Sequence, residues 1–221
     1  MRKNPLVNDC YYHVYNRGVD KRDIFLNKKD VSRFVLSIKE FNTVSPVGSI
    51  RNVMRDKMDL ENKCIRRRKR NGEILVSIVC FCINPNHFHF VLRQEKDGGI
   101  SEFLKRLLGG YSKYFNKVYN RSGALFQGKF RSHLISNDRY LLKILPYVNM
   151  NNLIHDIPEE KKHLIISSNE EYERKSFRIV SQKEARQLLE LFGGSENFKK
   201  ECASVVSFVR EERGKSFAFL E

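Results

Sequence analysis

Apolar and polar residues follow a pattern near the start of the chain that predicts a strand, a turn and a helix. Residues 11–15 are rich in aromatic and β-branched side chains, as in a strand, and the polar residues 16–22 predict a turn. Apolar residues then recur at helical spacing from Val31 to Phe41. Asn27 is expected to cap this helix, with Asp30 in the capping-box position.

The middle of the chain predicts five further elements, three strands and two helices. They are a strand pair at 74–83 and 88–93 with a turn at 84–86, an amphipathic helix at 100–118, a loop and strand at 124–135, and a helix from Asn137 or Asp138. Gly109 and Gly110 interrupt the long helix at a cost of about 1 kcal/mol each relative to alanine. This cost suggests that another element approaches closely there.

The order of the elements predicts an α+β fold, with a central antiparallel sheet flanked by helices. We expect this domain to cover residues 1–157, including a basic loop at residues 44–73. After Pro158 the chain is highly charged, with helices expected near residues 182–192 and 195–213. Residues 158–221 are therefore expected to form a helical C-terminal extension.

The charge of the chain indicates a polyanionic partner. There are 41 Lys and Arg residues against 26 Asp and Glu, which gives a net charge of +15. Each cation placed on a phosphate releases a condensed counterion, so such an excess favours nucleic acid. Six of the eight residues at 63–70 are basic, including Arg66, Arg67 and Arg68. This run either binds DNA or is a solvated flap, and the sequence favours neither.

Cysteine usage and hydropathy predict a cytoplasmic protein without a membrane segment. The five cysteines include no CxxC pair, and Cys80 and Cys82 lie in an apolar run, which is typical of buried reduced thiols. The first residues lack the apolar stretch of a signal peptide. The longest apolar run, at 78–83, is too short to span a bilayer.

Two histidines are the sharpest chemical feature of the chain. In a strand, His87 and His89 project from one face while Phe88 points to the other. Neutral imidazoles on one face are a natural pair of metal ligands. Two histidines at this spacing also occur by chance, so a structural role is the alternative.

Tyr147 and Asn151 lie four residues apart and are expected on one face of a helix. A tyrosine can act as a covalent nucleophile, but its phenol, with a pKa of about 10, needs a metal that polarises the phosphate. The amide of Asn151 can supply a third ligand beside the histidines. The alternative is a core tyrosine. Pro146 predicts either a kink or the first turn of a new helix.

Four blocks of the sequence resemble the signatures of the REP-associated tyrosine transposases, relatives of the insertion-sequence transposases that move as single-stranded DNA. They lie in the family's order at residues 12–18, 84–90, 123–132 and 147–151. One departure is Asn152, where the family usually has proline.

This resemblance implies an HUH, ferredoxin-like fold and a function. His87, His89 and Asn151 would bind Mg²⁺ or Mn²⁺, and Tyr147 would form a 5′-phosphotyrosine, leaving a free 3′-hydroxyl. The partner would be single-stranded or hairpin DNA. The expected DNA-binding residues are Arg17, Arg66, Arg67, Arg68, Gln127, Lys129 and Arg131.

Three functions remain open at this point. The first is a metal-dependent, single-strand-specific DNA transesterase. The second is a transposase-derived protein that holds a nucleic-acid hairpin without cutting it. The third is a basic RNA-binding α+β domain with accidental histidines. The presence of His87, His89, Tyr147 and Asn151 together favours the enzyme. Whether the protein is a monomer or a homodimer, and whether one chain builds the whole site, stays open.

Overall fold

A computed structural model describes residues 5–45, 48–53, 55, 72–155 and 157–211. The predicted DNA-binding residues Arg66, Arg67 and Arg68 lie outside this part of the chain. The strands are β1 (Tyr11–Arg17), β2 (Val76–Asn84), β3 (His87–Gln94), β4 (Arg131–Ile135) and β5 (Ile166–Ser167). The helices are α1 (Lys28–Phe41), α2 (Gly99–Val118), α3 (Asp138–Asn149), α4 (Asn151–Ile154), α5 (Asn169–Glu173), α6 (Gln182–Leu191) and α7 (Ser195–Glu211).

The five strands form one antiparallel sheet in the order β4-β1-β3-β2-β5. This architecture confirms the predicted α+β fold with a central antiparallel sheet. Strands β2 and β3 are buried almost throughout, because helices or loops cover both of their faces. In the register, His89 of β3 lies between Tyr15 of β1 and Cys82 of β2. Cys80 and Cys82 are buried free thiols, as expected.

Helices α1 and α2 pack together on one face of the sheet. The ring of Phe34 lies 5.7 Å from that of Phe88, and the ring of Phe90 lies 6.4 Å from that of Phe103. Helix α2 runs unbroken through Gly109 and Gly110. A Cβ on Gly110 would lie 3.0 Å from the ring of Phe41, so the expected close approach is that of α1.

The start of α1 is held by side chains, although differently from the predicted capping box. Asn27 accepts hydrogen bonds from the backbone N–H groups of Lys29 and Asp30, as an N-cap does. The Asp30 carboxylate accepts from the N–H of Leu26 rather than from that of Asn27. It also accepts from the hydroxyls of Tyr114 and Tyr119, which ties α1 to the end of α2.

Helix α3 packs on the opposite face of the sheet and against α7. It continues past Pro146 and ends at Asn149, so the proline neither ends the helix nor begins a new one. Asn151 opens the short helix α4 after a break at Met150, whose φ and ψ are −100° and 10°. The expectation that Tyr147 and Asn151 share one helix is therefore wrong. The non-helical backbone of Met150 ends one helix before the next begins, so the two residues lie on different helices.

The segment after Pro158 covers the outer edge of β2. Strand β5 pairs with β2, and the backbone N–H of Ser181 donates to the carbonyl of Ile78. The Tyr172 hydroxyl donates to the carbonyl of Val79, and Ser168 bonds both backbone groups of Phe81. A domain boundary at residue 157 stays a prediction. No helix in the described part of the chain is long and apolar enough to cross a membrane.

Candidate active site

Strand alternation brings His87 and His89 to the sheet face covered by α3, and buries Phe88 on the other face. Their rings lie 5.2 Å apart and nearly perpendicular. Asn151, at the start of α4, reaches the same cluster from the helical layer. The distance from its Oδ1 to the Nε2 of His87 is 3.0 Å. One chain therefore brings His87 and Asn151 into contact, with His89 beside them.

A second asparagine completes this contact. Asn84, directly opposite His87 in the β2–β3 register, is fully buried. Its Nδ2 lies 2.7 Å from Oδ1 of Asn151 and 2.9 Å from Nε2 of His87. Nδ1 of His87 lies 2.6 Å from Oδ1 of Asn86, an acceptor, so Nδ1 carries the proton and Nε2 presents a lone pair.

His89 is oriented by a third histidine. Its Nδ1 lies 2.9 Å from Nε2 of His13, and the two rings are stacked 5.2 Å apart. When His89 donates this bond, its own Nε2 is free of a proton and can bind a metal. His13 then carries its proton on Nδ1, a buried atom with no hydrogen-bond partner among the described residues. His13 thus holds the ring of His89 in place.

Burial keeps all three imidazoles neutral at physiological pH. Burial and, less strongly, the nearby His155 lower the pKa of His87 to about 4. Burial and, less strongly, His133 lower the pKa of His13 to about 3. Burial, followed by the neighbouring histidines, places the pKa of His89 well below its usual value. Neutral imidazole is the form that binds metals.

Tyr147 belongs to the same cluster. Its ring packs edge-on against His89, with centroids 6.1 Å apart, and against His13 at 6.3 Å. The side chain is 3% exposed. Helix α3 thus directs Tyr147 toward the sheet face that carries both histidines. The charged residues of the helix are exposed.

A cleft of about 820 Å³ opens beside the histidines and is bordered by several cations. The predicted DNA-binding residues Arg17, Gln127 and Arg131 line it together with His87 and His89. Nε of Arg17 donates to Oε1 of Gln127 at 2.5 Å, which fixes the guanidinium at the rim. The remaining cleft residues with charged side chains are Lys21, Asp23 and Lys161.

Lys129 is exposed but does not line the cleft. Lys161, which sequence reasoning did not single out, lies in the cleft and pairs with Asp23 at 2.6 Å. With four cations and one carboxylate, the cleft attracts a phosphate backbone.

The donor set at the histidines fits a divalent cation that accepts both nitrogen and oxygen ligands. Within the described residues no group of three His, Cys, Asp or Glu side chains forms a metal site, so a site here needs an amide oxygen. Asn151 keeps its oxygen toward His87, although its buried Nδ2 has no hydrogen-bond partner among those residues. His87, His89 and Asn151 can therefore hold a metal such as Mg²⁺ or Mn²⁺.

Sequence reasoning missed three residues around this cluster. Asn84 and His13 acquire their contacts only through strand pairing, since they lie on different strands from the histidines that they touch. The ring of His155 packs 4.8 Å from that of His87, just after α4. The one sequence signal for these residues is that Asn84 and His13 lie in two of the segments that resemble the transposase signatures, at residues 84–90 and 12–18.

Comparison with known proteins gives one family. The family model described as Transposase IS200 like matches residues 6–151. No curated protein matches the chain.

Two solved structures resemble the fold only distantly. A REP-associated tyrosine transposase bound to a REP hairpin is 14% identical, with a TM-score of 0.48, over 82% of this chain and 89% of the other. The tRNA(His) guanylyltransferase of Saccharomyces cerevisiae is also 14% identical, with a TM-score of 0.31, over 93% and 81%. Neither TM-score reaches 0.5, so neither likeness bears on function.

Proposed function

Because the chain belongs to the family of IS200-like transposases, we propose that it cuts single-stranded DNA through a covalent bond to Tyr147. The observation that carries the proposal is the cluster of His87, His89 and Asn151 with Tyr147 beside a basic cleft, all within one chain. This clustering supports a site built by a single chain, in a monomer or in each copy of a homodimer.

In the proposed reaction the phenolic oxygen of Tyr147 forms a bond to phosphorus while the bond from phosphorus to the 3′ oxygen breaks. The phenol loses its proton and the departing 3′ oxygen gains one, leaving a 5′-phosphotyrosine and a free 3′-hydroxyl. A Mg²⁺ or Mn²⁺ ion held by His87, His89 and Asn151 would polarise the phosphate and stabilise the developing charge. The neutral imidazoles can bind it without first losing a proton.

The cleft is proposed to hold the DNA backbone. Arg17 and Arg131 would contact phosphates, and Gln127 would fix the position of Arg17. The exposed Lys129 and the predicted basic residues Arg66, Arg67 and Arg68 would extend this grip. The ligand is proposed to be single-stranded or hairpin DNA. Residues 1–157 are proposed as the transposase domain, followed by the C-terminal extension.

The test is covalent capture. The protein is incubated with labelled single-stranded oligonucleotides and Mn²⁺, and a denaturing gel is searched for a protein–DNA adduct. Tyr147→Phe removes only the hydroxyl and should abolish the adduct, while binding measured by fluorescence anisotropy persists. Tyr140→Phe, on the same helix and half-buried, is the matched control and should keep the adduct. An adduct formed by Tyr147→Phe would refute the assignment.

A second function rests on the burial of Tyr147, whose side chain is 3% exposed. It is a transposase-derived protein that holds a nucleic-acid hairpin without cutting it. The same assay separates the two functions. The second predicts tight hairpin binding by the unaltered protein, with no adduct at any Mn²⁺ concentration.

A further inference from the structure

Asn84 contacts two of the candidate metal ligands, although the proposed reaction gives it no role. Its side-chain Nδ2, Oδ1 of Asn151 and Nε2 of His87 form a triangle with edges of 2.7, 2.9 and 3.0 Å. Two corners of this triangle are lone-pair acceptors that face each other. The N–H groups of Asn84 satisfy both acceptors and so hold them together in the absence of a cation.

The size of the triangle matches one face of an octahedral metal site. Mg²⁺ binds its ligands at about 2.1 Å with right angles between neighbours, which places adjacent ligand atoms about 3 Å apart. All three measured edges lie close to this value. The third corner would need only to carry an oxygen instead of a nitrogen.

An amide side chain can make this exchange without moving its backbone. A rotation of 180° about the last bond of Asn84 puts Oδ1 where Nδ2 lies. The other end of the amide contacts the Sγ of Cys82 at 3.6 Å. A thiol is both a weak donor and a weak acceptor, so it accommodates either orientation.

We propose that Asn84 is a further ligand of the divalent cation, and that its amide rotates when the ion binds. The proposal rests on the proposed function only in requiring that the site holds Mg²⁺ or Mn²⁺. Without the ion, Asn84 donates to His87 and Asn151. With the ion, Oδ1 of Asn84 would join Nε2 of His87 and Oδ1 of Asn151 as ligands, and His89, two residues along β3, would add a further nitrogen.

Binding of Mn²⁺ to the full chain, measured by the electron paramagnetic resonance signal of the free ion, tests the proposal without DNA or cleavage. Asn84→Ala should weaken binding at least about 10-fold. Asn84→Asp keeps an oxygen at this corner and should bind at least as tightly as the unaltered protein. The matched control is Asn42→Ala, which removes an asparagine that bonds the opposite end of the same strand. Its Mn²⁺ affinity should not change.

Water relaxation distinguishes a ligand from a residue that merely positions His87 and Asn151. When a ligand is lost, water takes its place, so the relaxivity of bound Mn²⁺ should rise in Asn84→Ala by about one inner-sphere water. Unchanged relaxivity with weaker binding would overturn the proposal, as would unchanged affinity. If Asn84→Ala fails to fold, weaker binding by Asn84→Asp overturns it. If the unaltered protein binds no Mn²⁺, the proposed metal site is itself refuted, and the ligand role of Asn84 with it.

Discussion

The buried histidines of the site should make folding sensitive to mild acid. In the folded protein His13, His87 and His89 are held neutral, with the pKa of His87 lowered to about 4 and that of His13 to about 3. In the unfolded chain a histidine takes up a proton near pH 6.5. As the pH falls below 7, the unfolded state therefore binds protons that the folded state cannot, and the free energy of unfolding falls.

The magnitude follows from the size of the shifts. Between pH 7 and pH 5, a histidine with a folded pKa of about 4 and an unfolded value near 6.5 loses about 2 kcal/mol of stability. His13, with a folded pKa of about 3, contributes about the same amount. Together His87 and His13 account for about 4 kcal/mol, against a total stability of about 5–15 kcal/mol for a typical domain, and the lowered pKa of His89 acts in the same direction.

Urea unfolding followed by circular dichroism at half-unit steps from pH 7 to pH 5, with a chelator present, measures this loss. His87→Gln should reduce the loss between these pH values by about 2 kcal/mol, because it removes one of the three groups. His163→Gln, at an exposed histidine outside the site, is the control and should leave the loss unchanged. A free energy of unfolding that does not change between pH 7 and pH 5 would refute the reasoning.

Two further predictions concern α2 and the cleft. Gly109→Ala should raise the free energy of unfolding by about 0.5–1 kcal/mol, since its Cβ meets no atom within 4 Å. The free energy of unfolding of Gly110→Ala, measured with urea, should be at least about 1 kcal/mol lower than that of Gly109→Ala, because the Cβ added at position 110 would press on Phe41. Equal free energies of unfolding for the two variants would contradict this packing. Arg131→Ala should make the plot of log affinity for single-stranded DNA against log salt less steep, by about 0.7 in slope. The exposed Lys200→Ala should change that slope less, and equal changes would show that Arg131 binds no phosphate.

Much of the fold was predictable from local patterns. The strand pair around residues 84–86, the long helix and the helix that begins after Asn137 all follow from periodicity and capping residues, and the structure confirms them. Strand β5 was not predicted, because two residues carry no alternation and their partner strand lies far away in the chain. The capping partner of Asp30 was also wrong by one residue. Sequence spacing does not determine how closely the chain approaches the helix end.

The candidate site was predictable only where its residues lie close together in sequence. Spacing alone placed His87 and His89 on one face, because a strand has a period of two. The same reasoning put Tyr147 and Asn151 on one helix, and the break at Met150 shows its limit. Asn84 and His13 reach the site through strand register and through contacts between neighbouring strands. No local pattern encodes such pairing.

The contacts along β2 also affect how this protein avoids self-association. An unpaired strand edge is a template for another chain, and edge-to-edge pairing leads to aggregation. On the β2 side, backbone groups of Ile78, Val79 and Phe81 are already bonded by residues after Pro158. The opposite edge is β4, a strand of five residues that begins with an exposed arginine. The segment that follows the candidate site therefore protects the sheet that carries it, and a chain shortened at residue 157 would expose the hydrogen-bonding groups of β2.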